Sequence, residues 1–313
     1  MPTKYFALPD IFAVVASHTR WKMIKPSRNF SENIYNLTYT SMTTFIEYLQ
    51  YPFFLRALIM GGIMSLLLSW MGGYIVLRQE VLFTDALSNI GFLGIALAIL
   101  FNLPITPMLI GICILAAFLI RFLQSKKIFS NDSLLETFAR IGLALGVIVI
   151  ALFPGYRVNI EQFLFGDILG ISQFDTNLAV GIFIIFGTMI LLFHKRFLQI
   201  SLSDTLSHTL VKHKTFYHAL LIFAIATLIA MAIKIIGALL VGAFIAIPPN
   251  TVKLLAKNIK QTFILSSILG LLATLVGLYL STLFNLPTGP LVVTTLGAFW
   301  LLSIIINLTN FKN

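Results

Sequence analysis

Charge is what this chain has least of. Asp, Glu, Lys and Arg make up 10% of its 313 residues, where a water-soluble domain carries roughly a quarter. Acids are the scarcer sign, at 11 against 21 Lys and Arg. A single cysteine, Cys113, falls inside an apolar run, which excludes a disulfide framework. The five histidines are His18, His194, His208, His213 and His218. The last three are spaced by five, and on a helix such positions diverge by about 140°, so they do not form a one-sided metal cluster. His194 is expected at a span end, and no histidine deep in a span. There is no G-x-x-x-x-G-K-[ST], H-E-x-x-H, G-x-S-x-G or Cys/His zinc pattern. The chain therefore does not bind ATP through a P-loop, and nothing in it points to covalent catalysis; it reads as a non-enzyme.

What is present is apolar. Hydrophobic residues reach 58%, Phe alone contributes 28, and the mean hydropathy is +0.97. This composition predicts an all-α, polytopic membrane protein. With about 20 apolar residues per span, candidates are 54–77, 83–101, 105–123, 141–153, 178–193, 216–235, 236–249, 263–284 and 291–306: eight clear spans and a short one. Segment 141–153 is expected to recruit a preceding turn from Glu136, with Arg140 at its end. Segment 236–249, ending at Pro248-Pro249, reads as a short or re-entrant helix that stops at the prolines.

Residues 1–50 stand apart as a basic, Ser/Asn/Thr-rich tail, disordered, interfacial or preceding a later start near Met42; residues 51–309 form the transmembrane domain. The net charge of +10 does not indicate nucleic acid, because the Lys and Arg residues are dispersed through short loops between apolar runs. They obey the positive-inside rule instead. The connections 121–140, 195–214 and 253–260 are basic, and 102–104, the segment around Arg157 and 285–289 are nearly bare. All basic loops share one side only if 216–249 crosses twice. The N-terminus of the membrane domain is then outside and the C-terminus inside.

Asp85 is the residue that points to function. It opens an apolar run, and a carboxylate within a span is costly enough to mark a functional site by default. Ser88 and Asn89 follow at i+3 and i+4, which places the three polar groups along one helix face. Lys234, near the break between two apolar segments, pairs with an acid, snorkels or marks a hinge. Ser203-Asp204 is a helix-start signal in the longest inner loop; the short polar helix it would open is a docking element or a solvated connector. The outer loop 157–169 mixes aromatics with the acids Glu161 and Asp167. It reads as an interfacial element, and also as a candidate for receiving a partner or cation from outside.

Four segments in chain order carry a family resemblance. Residues 82–94 resemble F-G-D-A-L-S-H-A-x-L-x-G, and 157–169 resemble R-V-D-L-x-x-Y-L-F-G-D-I-L. Residues 234–248 resemble K-x-V-G-A-L-I…I-I-P-A-A-T-A, and 286–290 resemble D-x-P-x-G-P. These segments make the stretch 51–306 similar to the permease subunits of ABC importers for zinc, manganese and iron, nearest to the zinc members. The resemblance implies a type II importer-like permease with 8–9 transmembrane helices in the cytoplasmic (inner) membrane. It implies a second permease copy, cytoplasmic ATPase subunits and a periplasmic or extracellular metal-binding protein. It also implies a transported divalent metal, zinc first and manganese or iron second, with no stably bound cofactor. By the same resemblance Asp85, Ser88 and Asn89 lie on the metal pathway, and Ser203, Asp204, Thr205, Leu206 and His208 lie where the ATPase docks. The chain departs from the family where His follows the Asp by four: Asn89 stands there, and Thr84 replaces the Gly before the Asp. Amide and carboxylate oxygens favour harder cations than imidazole does. Two readings outside that class are an ion-gradient-driven secondary transporter using Asp85 and a membrane scaffold with a decayed transport site.

Overall fold

A computed structural model describes residues 52–152, 166, 173–202, 213–284 and 286–310. These belong to one compact unit, 47–313. Its described residues form nine helices and no strand: α1 Pro52–Leu77, α2 Val81–Leu100, α3 Ile105–Ser125, α4 Asn131–Ala151, α5 Gln173–Leu202, α6 Lys214–Ile236, α7 Ala238–Lys253, α8 Ile259–Phe284 and α9 Thr288–Asn310. Eight are long and apolar enough to cross a membrane, and α7 is a shorter apolar helix. The all-α polytopic expectation holds.

Local chemistry sets several boundaries. α4 begins ten residues before the apolar run, because Ser130 caps it: its Oγ accepts the Ser133 N–H at 3.3 Å. The cap draws in a polar first turn that hydropathy alone leaves outside. α8 starts with a reciprocal cap, Asn258 Oδ1 accepting from Gln261 N at 2.8 Å and Gln261 Oε1 accepting from Lys257 N at 3.1 Å.

α7 corrects the expectation that a helix ends at Pro248-Pro249. Both prolines lie inside it, and it continues to Lys253. A proline removes the N–H that the carbonyl four residues earlier would accept, so Pro249 releases the Ile245 carbonyl. That oxygen faces Gly72 of α1, so closely that a Cβ at Gly72 would overlap it. The freed carbonyl is packed against the Gly72 backbone.

α6 is the central helix, with 78% of its span buried against 17% for Val180–Leu202 of α5. α6 and α7 are separated only by Gly237, at φ +88°, a conformation glycine adopts without a Cβ penalty. The start of α6 and the end of α7 lie at the same end of the bundle. Lys214 and His218 share a cleft with Arg78, and Lys253 shares another with Gly73 and Leu77, one helix turn away. The chain thus goes out along α6 and returns along α7, as the loop charges require. The opposite end holds the Lys234 Nζ to Thr106 Oγ1 hydrogen bond at 2.6 Å and the contact of Gly166 with Gly237.

The most extensive helix pair is α2 with α4. Gly142 and Gly146, four apart on α4, face α2. A Cβ at either would lie 2.6 Å from Ile90 or Phe92. Small residues at this spacing let two helices approach closely where lipid supplies no hydrophobic drive.

Candidate functional site

Asp85 lies in the second turn of α2 and is exposed. Its Oδ1 is 3.0 Å from where a Cβ would stand on Gly242 of α7, so a side chain at that position would press on the carboxylate. Asn89, one turn on, is half-buried, whereas Ser88 is buried with no hydrogen-bond partner for its hydroxyl. Asp85 and Asn89 therefore share an outward stripe, and Ser88 turns toward the core. Thr84 is buried and its hydroxyl donates to the Val81 carbonyl of its own helix.

A second acid stands near Asp85. Glu136 on α4 interacts with it electrostatically, and the α2–α4 glycine register brings the two helices' second turns level. Glu136 is itself exposed and paired with Arg140 across one helix turn, at 2.6 Å. In the sequence Glu136 marks only the start of a helix, and its i, i+4 spacing from Arg140 is the signal that goes further. No group of three or more His, Cys, Asp or Glu able to hold a metal occurs among the described residues. One copy of this site thus offers a sparse, oxygen-rich ligand set open to one side.

At the basic end, Glu80 in the α1–α2 connection accepts paired hydrogen bonds from two arginines. Arg78 Nε and Nη2 reach its carboxylate at 3.0 and 3.2 Å; Arg121 Nη1 reaches it at 2.7 Å, and Arg121 Nη2 also contacts it. Burial pushes the Glu80 carboxyl up, but the hydrogen bond and charge of Arg121, then those of Arg78, outweigh it and leave the group at about 2. The Arg121 guanidinium also stacks over Phe83, 4.7 Å from the ring centre. Nothing in the sequence pattern marked this network, because Arg121 joins Arg78 and Glu80 from a segment 41 residues further along.

Two further residues have defined contacts. Lys234 bonds Thr106 three residues before the Gly237 break. His194, expected at a span end, lies within α5, half-buried, with Nδ1 2.6 Å from the Tyr74 hydroxyl and its ring edge-on to Phe263. α5 runs eight residues beyond it, so the hydropathy drop at His194-Lys195-Arg196 does not end the helix. Glu161 and Asp167 of the outer loop, and Ser203, Asp204, Thr205, Leu206 and His208 of the inner loop, lie outside the described residues, as does the tail 1–50.

Comparison with known proteins fits this architecture. The family model described as ABC 3 transport family matches residues 50–307. The manganese import system permease protein ScaB of Streptococcus gordonii is 28% identical over 256 residues, 82% of this chain and 92% of that protein. The high-affinity zinc uptake system membrane protein ZnuB of Haemophilus influenzae is 30% identical over 254 residues, covering 79% and 95%. Among solved structures, PsaBC from Streptococcus pneumoniae in complex with Fab superposes with a TM-score of 0.75 at 28% identity, over 84% of this chain and 95% of that one. A match over most of the chain, on a bundle with eight apolar spans, places it plainly: the protein belongs to the ABC 3 transport family, as a multi-pass membrane permease of the metal-importing kind.

Proposed function

We propose that this chain is the permease of an importer for a divalent transition metal in the cytoplasmic membrane, with zinc its first cargo and manganese or iron(II) the alternatives. The observation that carries the reading is Asp85: an exposed carboxylate on an apolar helix, seated against a glycine of a neighbouring helix. Facing lipid, such a group costs several kcal/mol, roughly 3 or more. Facing a second copy across a water-lined path, it becomes half of an acidic gate.

In that arrangement Asp85 from each copy would attract and briefly hold a cation, and Asn89 would add an amide oxygen one turn further along. A site of few oxygen ligands binds weakly, which suits conduction, since the cation must leave as readily as it enters. The energy would come from a cytoplasmic ATPase docked on the 203–213 segment, and the cargo from an extracytoplasmic metal-binding protein. Relatives carrying manganese and zinc in their names at similar identity support the class of cargo rather than one metal.

The test is metal uptake by the reconstituted complex. Asp85→Ala should abolish uptake while the permease still co-purifies with its ATPase. Normal uptake by that variant would remove Asp85 from the pathway, and metal flux through the chain alone, without ATP, would turn the reading to a gradient-driven transporter.

A further inference from the structure

At the basic end of the bundle a 720 Å³ cleft lies between the α1–α2 connection, the end of α3 and the start of α6. Its charges do not cancel. Glu80 is the one acid among the lining residues, and it is shared by Arg78 and Arg121, so two guanidinium groups meet a single carboxylate. Lys127 lines the same cleft and adds further positive charge.

Hydrogen-bonding capacity is also in surplus. Arg78 Nη1, Arg121 Nε and Gln124 Nε2 are buried donors with no acceptor, and the Arg78 side chain is only 10% exposed. A buried donor without an acceptor is costly, so an acceptor-rich ligand that reached these residues would relieve that cost. The cleft has a second character. Phe118 and Phe122 of α3 line it and are 42% and 59% exposed, part of the apolar face of that helix. A charged floor thus opens toward an apolar wall at the membrane end that carries the basic loops.

We propose that this cleft binds a phosphate-bearing anion, namely the phosphodiester headgroup of an anionic phospholipid or free phosphate. Planar guanidinium groups match phosphate oxygens in geometry as well as charge. The apolar wall favours the lipid source, because an acyl chain can lie along Phe118 and Phe122 while the headgroup meets Arg78 and Lys127.

Two variants test it without undoing the fold. Arg78→Gln removes the surplus guanidinium and leaves Glu80 paired with Arg121. Lys127 adopts φ +53°, which glycine accepts without strain, so Lys127→Gly removes a charge at a position suited to glycine. The purified full chain, stripped of lipid, is titrated with phosphatidylglycerol or phosphatidylcholine under native mass spectrometry, and separately with inorganic phosphate by calorimetry. Wild type should retain phosphatidylglycerol over phosphatidylcholine, and each variant should weaken that retention by about fivefold. Phosphate binding that falls in the same variants, without a lipid preference, would assign the site to free phosphate. Binding of neither anion, or equal binding by wild type and both variants, overturns the proposal.

Discussion

Asp85 and Asn89 share one stripe of α2, and what surrounds them decides what they can hold. Carboxylate and amide oxygens are harder ligands than imidazole, so this stripe should discriminate weakly among zinc, manganese and iron. Asn89→His would supply a nitrogen ligand one turn from Asp85. It should raise zinc uptake relative to manganese several-fold, read as competition between the two metals in uptake by the reconstituted complex; an unchanged ratio would show that residue 89 does not touch the cargo. Gly242 bears on the same carboxylate from the other side. A Cβ there would sit 3.0 Å from Oδ1, so a branched side chain would crowd the carboxylate and push it aside. Gly242→Val should therefore depress uptake nearly as much as Asp85→Ala while leaving ATPase co-purification intact. Uptake at the wild-type rate would mean that the carboxylate has room to move aside without consequence.

At the scale of elements, close approach through small residues holds α4 on α2. Gly142 and Gly146 each oppose a side chain of α2 at distances no Cβ tolerates. Replacing either with Leu should destabilise the helix pair by about 1–3 kcal/mol, the usual range for overpacking a tight contact. Thermal unfolding in detergent would report this as a lowered midpoint. Gly181→Leu on α5 is the control, since nothing lies within 4 Å of a Cβ there. Equal midpoints for all three variants would contradict the glycine-mediated contact. The same logic explains α7. Its prolines forfeit two backbone hydrogen bonds, and one released carbonyl, that of Ile245, packs closely on α1 where Gly72 leaves room.

At the scale of the whole molecule, one end of the bundle is rich in basic side chains among the described residues. Arg78, Arg121, Lys127, Lys214, Lys253 and Lys257 line two clefts there, with Glu80 as the one acid among their lining residues. Glu80 ties α1, α2 and α3 together through its arginines. Its carboxyl falls from an ordinary 4.5 to about 2 on folding. A depressed carboxyl stabilises the fold once the unfolded chain is also ionised, so its contribution is fully present above about pH 4.5 and is lost as pH falls toward about 2. Unfolding midpoints measured across that window should drop with acid, and Glu80→Gln should flatten the slope. An identical slope in the variant would place the acid sensitivity elsewhere.

Much of this was legible in the amino-acid order. Hydropathy alone determined the all-α membrane architecture, because a chain with so little charge must satisfy its backbone within helices that cross the bilayer. The distribution of Lys and Arg determined that 216–249 crosses twice. Asp85 stood out because a carboxylate in an apolar run is its own signal. Other features belong to the tertiary structure. Helix ends at Asn131, Leu202 and Lys253 depend on a cap, on α5 continuing past its charged residues, and on α7 continuing through its two prolines. Ser88 is turned inward by the packing of α2, although its spacing places it beside Asp85. Gly242, Glu136 and the cluster of Arg78, Glu80 and Arg121 come from segments far apart in the chain. Their proximity arises from helix packing, in which Gly142, Gly146 and Gly72 let particular backbones touch, and no local pattern encodes it.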